Sequence, residues 1–144
     1  STPVRRSRCV SVTTTAICAP THAEAIEIAV NGGLHYLPSL VFRYHDTFPR
    51  PEGFPEWPET LPPYTPEFVE LLIEEELLIC GDPAEVRRQC GRWEEAGADQ
   101  LSFGLPVGVP KEETLQTIRL IGEHVIPEID TDPVHRTSRF RQAV

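Results

Sequence analysis

The sequence predicts an α/β fold: a partial (β/α)8 TIM barrel of three βα units, its parallel strands covered by helices. Two observations carry this class. Short runs rich in β-branched or fully apolar residues alternate with stretches of helical periodicity, the pattern of parallel strands joined by right-handed crossovers. Three strands are too few to shield a parallel sheet well, and an eight-fold barrel normally takes about 250 residues. A chain of 144 residues therefore holds only part of one.

The elements follow in order. Residues 9–18, CVSVTTTAIC, are rich in Val, Ile and Thr and read as the first strand. Thr21-His22-Ala23-Glu24 is a capping box, in which Thr21 accepts from an N–H at the helix start while Glu24 reaches back. The helix runs to Asn31, Gly32-Gly33 ends it, and Ala25, Ile28 and Ala29 supply its apolar stripe. Residues 34–46 predict a second short helix with Leu37, Leu40, Val41 and Tyr44 on one side. Residues 47–66 carry seven prolines, a density that no regular element survives. The aromatics among them, Phe48, Phe54, Trp57 and Tyr64, predict an insertion loop that packs on the fold. Thr65-Pro66 starts a helix through Glu75, with Phe68, Leu71 and Leu72 inward.

Leu77-Leu78-Ile79-Cys80 is a fully apolar run, as expected for a strand covered on both faces. Gly81 turns the chain, Asp82 caps, Pro83 fits the first helical position and Glu85 completes the start signal. Val86, Cys90, Trp93 and Gly97 share one face of that helix, opposite Arg87, Arg88, Glu94 and Glu95, and Gly97 ends it. Asp99 to Gly104 forms the third strand, and Val109-Pro110 to Ile129 the last helix, with Leu115, Ile118, Ile121 and Val125 inward. The domain so defined spans residues 9–130, with a flexible end at 1–8 and a basic tail at 131–144. Its strands at 9–18, 77–80 and 99–104 are expected as parallel neighbours, with the helices that follow them all on one face.

Charge narrows the function. The formal net charge is −9, and residues 51–76 hold eight glutamates and no Lys or Arg. Such a surface repels phosphate backbones and anionic lipid, which argues against nucleic acid and membrane as partners. No apolar run approaches the roughly 20 residues that cross a bilayer, and none follows the basic start STPVRRSRC as in a secretory signal. The cysteines at 9, 18, 80 and 90 make no CxxC pair and read as free thiols of a cytoplasmic protein. The five histidines show no metal-ligand spacing, so no metal is expected. With no methionine and no structured element expected before Arg8, the chain reads as cut from something longer.

In a parallel barrel the working face lies at the C-terminal strand ends, here Ala19-Pro20, Gly81-Asp82 and Gly104-Leu105-Pro106. The helix beginning at Asp82 presents backbone N–H groups that suit a phosphate, which makes Gly81, Asp82 and Gly104 the candidate cofactor-binding residues. The competing reading is that Gly81 only permits the turn and Asp82 only caps. Gln100 and Ser102 share one face of the third strand, where they either touch a ligand in a lumen or fill the interior by mutual hydrogen bonds. His35 and His45, beside the proline-rich insertion, are the histidines with catalytic potential; His22, His124 and His135 read as surface residues. No nucleophile motif and no glycine-rich dinucleotide fingerprint is present.

The stretch CGDPAEVRRQCGRWEEAGADQLSFG, followed by EETLQTIRLIGEHVIPEID, resembles the C-terminal end of bacterial-luciferase-like flavin-dependent monooxygenases. The likeness lies in Gly81 and Pro83, Glu85-Val86, Ala96-Gly97, Asp99, and Val125-Ile126-Pro127. TAICAPTHAEAIEIA resembles the family's sixth strand and following helix through Cys18, Thr21, Glu24 and Ala25. The resemblance implies about the last three βα units of a barrel that binds reduced FMN, or the related deazaflavin coenzyme, and oxidises a small organic substrate with O2. It carries over no catalytic residue, because the family's phosphate ligands and most of its catalytic groups come from the first five strands. The isolated chain is then expected to be inactive and prone to form a homodimer. The alternative is a non-enzymatic half-barrel that acts by pairing its open sheet edges.

Overall fold

The computed structural model describes residues 10–32, 64–106 and 108–132, with the single positions Glu52, Val134 and Ser138. The helix expected over 34–46, nearly all of the proline-rich stretch, Cys9, His35, His45, His135, residues 1–8 and most of the basic tail lie outside these.

The described residues form an α/β fold on an open sheet of three parallel strands, β1 (Ser11–Cys18), β2 (Ile79–Gly81) and β3 (Gln100–Gly104). All pairings are parallel, as the crossover lengths require. The order is not the sequential one: β1 lies in the middle, giving β2-β1-β3. β2 pairs only with the end of β1, from Ala16↔Ile79 to Cys18↔Gly81, whereas β3 pairs with its beginning, from Ser11↔Gln100 to Thr15↔Gly104. Asp99 pins this second register. Its carboxylate accepts from the Val10 N–H at 2.9 Å, while the Val10 carbonyl accepts from the N–H groups of Asp99 and Gln100.

The helices cover two faces, which corrects the single-face expectation. On one face α1 (His22–Asn31) and α2 (Pro66–Glu74) bury Ala25, Ile26, Ala29, Val69 and Ile73 against Ile17, Leu78 and Cys80. On the other, α3 (Pro83–Glu95) and the C-terminal helix bury Val86, Cys90, Ile121 and Val125 against Ala16, Cys18 and Ile79. The C-terminal helix comprises α4 (Lys111–Leu120), a π-helical turn (Ile121–Val125) and α5 (Ile126–Ile129). The strand order explains the split. The crossover from β1 to β2 and the return from β2 past β1 to β3 run in opposite directions, so a constant right hand puts their helices on opposite faces.

Local signals hold where they are local. Thr21 and Glu24 form both halves of the capping box, Thr65 caps α2 ahead of Pro66, and Asp82 caps α3 ahead of Pro83. Helix rotation departs from expectation in two places. α2 buries Val69 and Ile73 and leaves Phe68 and Leu71 outward, and α4 buries Thr117 while Leu115 and Ile118 face out. The strand expected at 77–80 begins at Ile79, because Leu77 belongs to the end of α2. There the N–H of Leu77 donates to the Leu72 carbonyl and that of Glu76 to the Ile73 carbonyl, with Glu76 in the left-handed region at φ 60°.

Two side chains extend the sheet's hydrogen bonding. Beyond Gly104 no β3 residue pairs with β1, and there Thr117 takes over: its hydroxyl accepts from the Cys18 N–H and donates to the Cys18 carbonyl, both at 3.1 Å. At β2, the Gln89 amide accepts from the Cys80 N–H at 3.0 Å and donates to the Cys80 carbonyl at 2.9 Å. That blunts the β2 edge against pairing with another chain.

Candidate functional site

Three places on this frame could meet a ligand. The first is a cleft of about 390 Å³ at the C-terminal ends of β1 and β2, lined by His22, Glu70, Asp82, Glu85, Arg88 and Arg92 among others. Gly81 lies beside it, next to Asp82 in the chain. At φ 155° the position suits glycine, and a Cβ there would stand 2.7 Å from Glu85 Cγ and 3.3 Å from His22 Nδ1. Asp82 Oδ1 accepts from the N–H groups of Ala84 at 2.9 Å and Glu85 at 3.0 Å. The anion position at this helix start is thus filled by the chain's own carboxylate, which favours the turn-and-cap reading of Gly81 and Asp82.

The cations of this cleft are also engaged. Arg88 grips Glu85 through Nε at 2.8 Å and Nη2 at 2.6 Å, and these bonds hold the Glu85 carboxyl below the usual carboxylate range. Arg92 pairs with Glu76. His22 Nε2 lies 2.9 Å from Glu70 Oε1, so a carboxylate orients the ring. Its Nδ1 is buried and has no partner among the described residues. A histidine held by a carboxylate is the arrangement of a general base, but here the second nitrogen points into the protein beside Gly81. In sequence His22 is a surface residue of a first helical turn; only the fold brings Glu70, 48 positions later, to it.

The second place is a broader cavity of about 560 Å³ between α1 and the start of α4, lined by Glu24, Glu27, Asn31, Glu112, Glu113 and Gln116 among others. Its carboxylates disfavour an anionic cofactor.

The third is a face of the sheet. Ser11, Thr13 and Thr15 alternate with Val12 and Thr14 along β1, and the register sets them beside Gln100, Ser102 and Gly104 of β3. Val12, Thr14, Leu101 and Phe103 face the covered side, where Leu101 and Phe103 pack on the second core cluster. The opposite face presents Ser11, Thr13, Gln100 and Ser102 exposed and Thr15 half-buried. It carries hydroxyl and amide groups and no ionisable side chain.

The three candidate residues are not brought together. Gly81 and Asp82 adjoin, but Gly104 lies on the other side of β1 and level with Thr15 rather than Cys18. Two strand spacings and three residues of stagger separate it from Gly81 by about 14 Å. These residues do not fit a flavin phosphate. The one helix N-terminus among them is capped by Asp82, and the cavities around are rich in carboxylates. Among the described residues no group of three or more His, Cys, Asp or Glu could hold a metal ion. No described helix is long and apolar enough to cross a membrane. Cys18, Cys80 and Cys90 are free and buried, and burial pushes their thiols up to about 11, 12 and 11 respectively. Comparison with known proteins returns no matching family model and no matching curated protein.

Proposed function

We propose that this chain forms part of the wall of a luciferase-like flavin-dependent oxidoreductase barrel, a cytoplasmic enzyme that oxidises a small organic substrate with O2 and reduced FMN or the deazaflavin coenzyme. The observation that supports this reading is the β1–β3 pair. Where the two strands pair, from Ser11 to Thr15 and Gln100 to Gly104, helices cover one face and uncharged polar side chains, Ser11, Thr13, Thr15, Gln100 and Ser102, line the other, which α1 and α2 cover only farther along β1 at Ile17. A barrel wall has this two-sided character between its outer helices and its lumen. In this reading β1 and β3 are consecutive wall strands with α3 as their crossover helix. β2 is a short strand beside the upper end of β1, so the chain represents two βα units and that strand rather than three units. The described residues contribute wall and no phosphate ligand.

An amide-resolved NMR titration of the 144-residue chain with FMN and with riboflavin tests this. Shifts are expected at Thr13, Thr15, Gln100 and Ser102, equal for the two flavins, with dissociation constants above about 1 mM, or less than about 4 kcal/mol of binding. Reduced flavin and O2 are expected to give no turnover. Tight binding of FMN, or shifts that spare this face altogether, overturns the wall assignment.

A second reading, a non-enzymatic half-barrel that acts by edge pairing, draws on β3. Among the described residues no strand lies beyond it, while the β2 edge is blunted by Gln89. Protection of β3 amides that grows with protein concentration supports this reading; protection independent of concentration removes it.

A further inference from the structure

We propose that a second copy of this chain docks antiparallel on the outer stripe of the C-terminal helix, centred on Gly122. Leu115, Ile118, Ile126 and Ile129 are each between 40% and 49% exposed. With Gly122 they step along the helix at intervals of three, four, four and three residues, and the π-helical turn at Ile121–Val125 lies in the middle of this stripe. The stripe lies about 100° round the helix from Thr117, Ile121 and Val125, which seat the helix on the sheet face opposite the polar one. It is therefore remote from the polar wall, and the proposal rests on neither reading above.

Gly122 is the least explained residue of this helix. Glycine weakens a helix interior relative to alanine, and a Cβ built at Gly122 meets nothing within 4 Å. No internal contact demands its small size. At the centre of an apolar seam, a residue without a side chain lets a second helix backbone approach closely. Antiparallel docking about this point sets Leu115 against Ile129 and Ile118 against Ile126 of the second copy.

Charge selects both the occupant and its direction. Arg119 and Glu123 flank the stripe on one side, and Arg119 has no ion-pair partner among the described residues. In a parallel pair this flank would face the opposite flank of the second copy, and Arg119 would not meet Glu123. In the antiparallel pair each Arg119 meets Glu123 of the second copy, twice over by the two-fold symmetry. A surface that complements itself in apolar pattern and in charge fits another copy of the same chain.

Sedimentation equilibrium of the whole chain, with and without Ile118→Glu, reads this directly. The wild-type chain is expected to be a dimer at submillimolar concentration, and Ile118→Glu is expected to raise the dissociation constant at least about 30-fold, as loss of a central anchor does. Far-UV circular dichroism checks that the variant is folded. Orientation is read by oxidative cross-linking in a Cys9→Ser background. Chains carrying Leu115→Cys are expected to cross-link to chains carrying Ile129→Cys faster than to themselves. A monomeric wild-type chain, a dimer that Ile118→Glu leaves unchanged (as an edge-paired sheet would be), or preferential self-linking of Leu115→Cys each overturns the proposal.

Discussion

Thr117→Val isolates one hydroxyl. The Thr117 side chain is 2% exposed and serves both the N–H and the carbonyl of Cys18 where β3 has run out. Valine has the same shape and keeps the packing, but leaves two buried backbone groups without partners. Each such group costs about 1–3 kcal/mol. Both lie on one residue and share one relaxation, so the sum expected is about 2–4 kcal/mol. At about 4 °C per kcal/mol for a chain of this size, the melting temperature falls by roughly 8–15 °C. Thr117→Ser keeps the hydroxyl and loses one methyl group, which costs about 1 kcal/mol. Urea unfolding followed by circular dichroism, with the slope checked for constancy, measures both. The reasoning fails if valine lies within about 0.5 kcal/mol of wild type, the range of a neutral surface change, or if serine costs as much as valine. Amide exchange at Cys18 gives a local check: it should accelerate in the valine variant more than at Ile17, whose neighbour is β2.

Other substitutions follow from the same geometry. Gly91 lies inside α3 with nothing within 4 Å of a built Cβ, so Gly91→Ala is expected to stabilise by about 0.5–1 kcal/mol in a thermal melt. Gly97→Ala, at φ 96° just past that helix, is expected to destabilise by about 1 kcal/mol or more; the same sign for both would refute the placement of the helix end. Trp93 is half-buried against the second cluster, so Trp93→Ala should cost about 2 kcal/mol rather than the 3–5 kcal/mol of a fully buried ring, again read by urea unfolding. Alkaline pH is expected to destabilise the fold through its thiols. The unfolded chain loses these protons from about pH 9 upward while the folded chain keeps those of Cys18 and Cys90 to about 11 and that of Cys80 to about 12, burial being the first cause. The thiol contribution is therefore complete below pH 9 and falls as pH rises, by at most about 1.4 kcal/mol per pH unit per thiol. Urea midpoints at pH 8 and pH 10 should drop less in Cys90→Ala than in wild type; an equal drop would refute the assignment to thiols.

What could be read from the sequence is what adjacent residues decide. The cap at Thr21, the Asp82-Pro83 start and the Gly97 stop each rest on groups within four positions of one another, and all are in place. Strand order is a different kind of fact. A crossover helix requires β1, β2 and β3 to be parallel, but it does not say on which side of β1 each must lie. The partners that decide it, Asp99 at Val10 and Thr117 at Cys18, stand 89 and 99 positions away from the strand they fix.

Helix rotation failed for a related reason, and the failure is instructive about the site. The C-terminal helix offers either Leu115 and Ile118 or Thr117 to join Ile121 and Val125, which are buried as expected, and hydrophobicity alone favours the first. The second wins because β1 ends in a buried N–H and carbonyl that only a hydroxyl at position 117 reaches; satisfying that pair outweighs leaving two aliphatic side chains half in water. The His22–Glu70 contact escaped for the same cause, since the tight turn after β1 and the packing of α2 on α1 had to be known together. The candidate glycines show the reverse. Gly81 carries a clear turn signal, yet its significance depends on whether the donors beyond it are free. The Asp82 carboxylate, adjacent in sequence, had already taken them. A glycine followed by a capping carboxylate therefore marks a closed helix start.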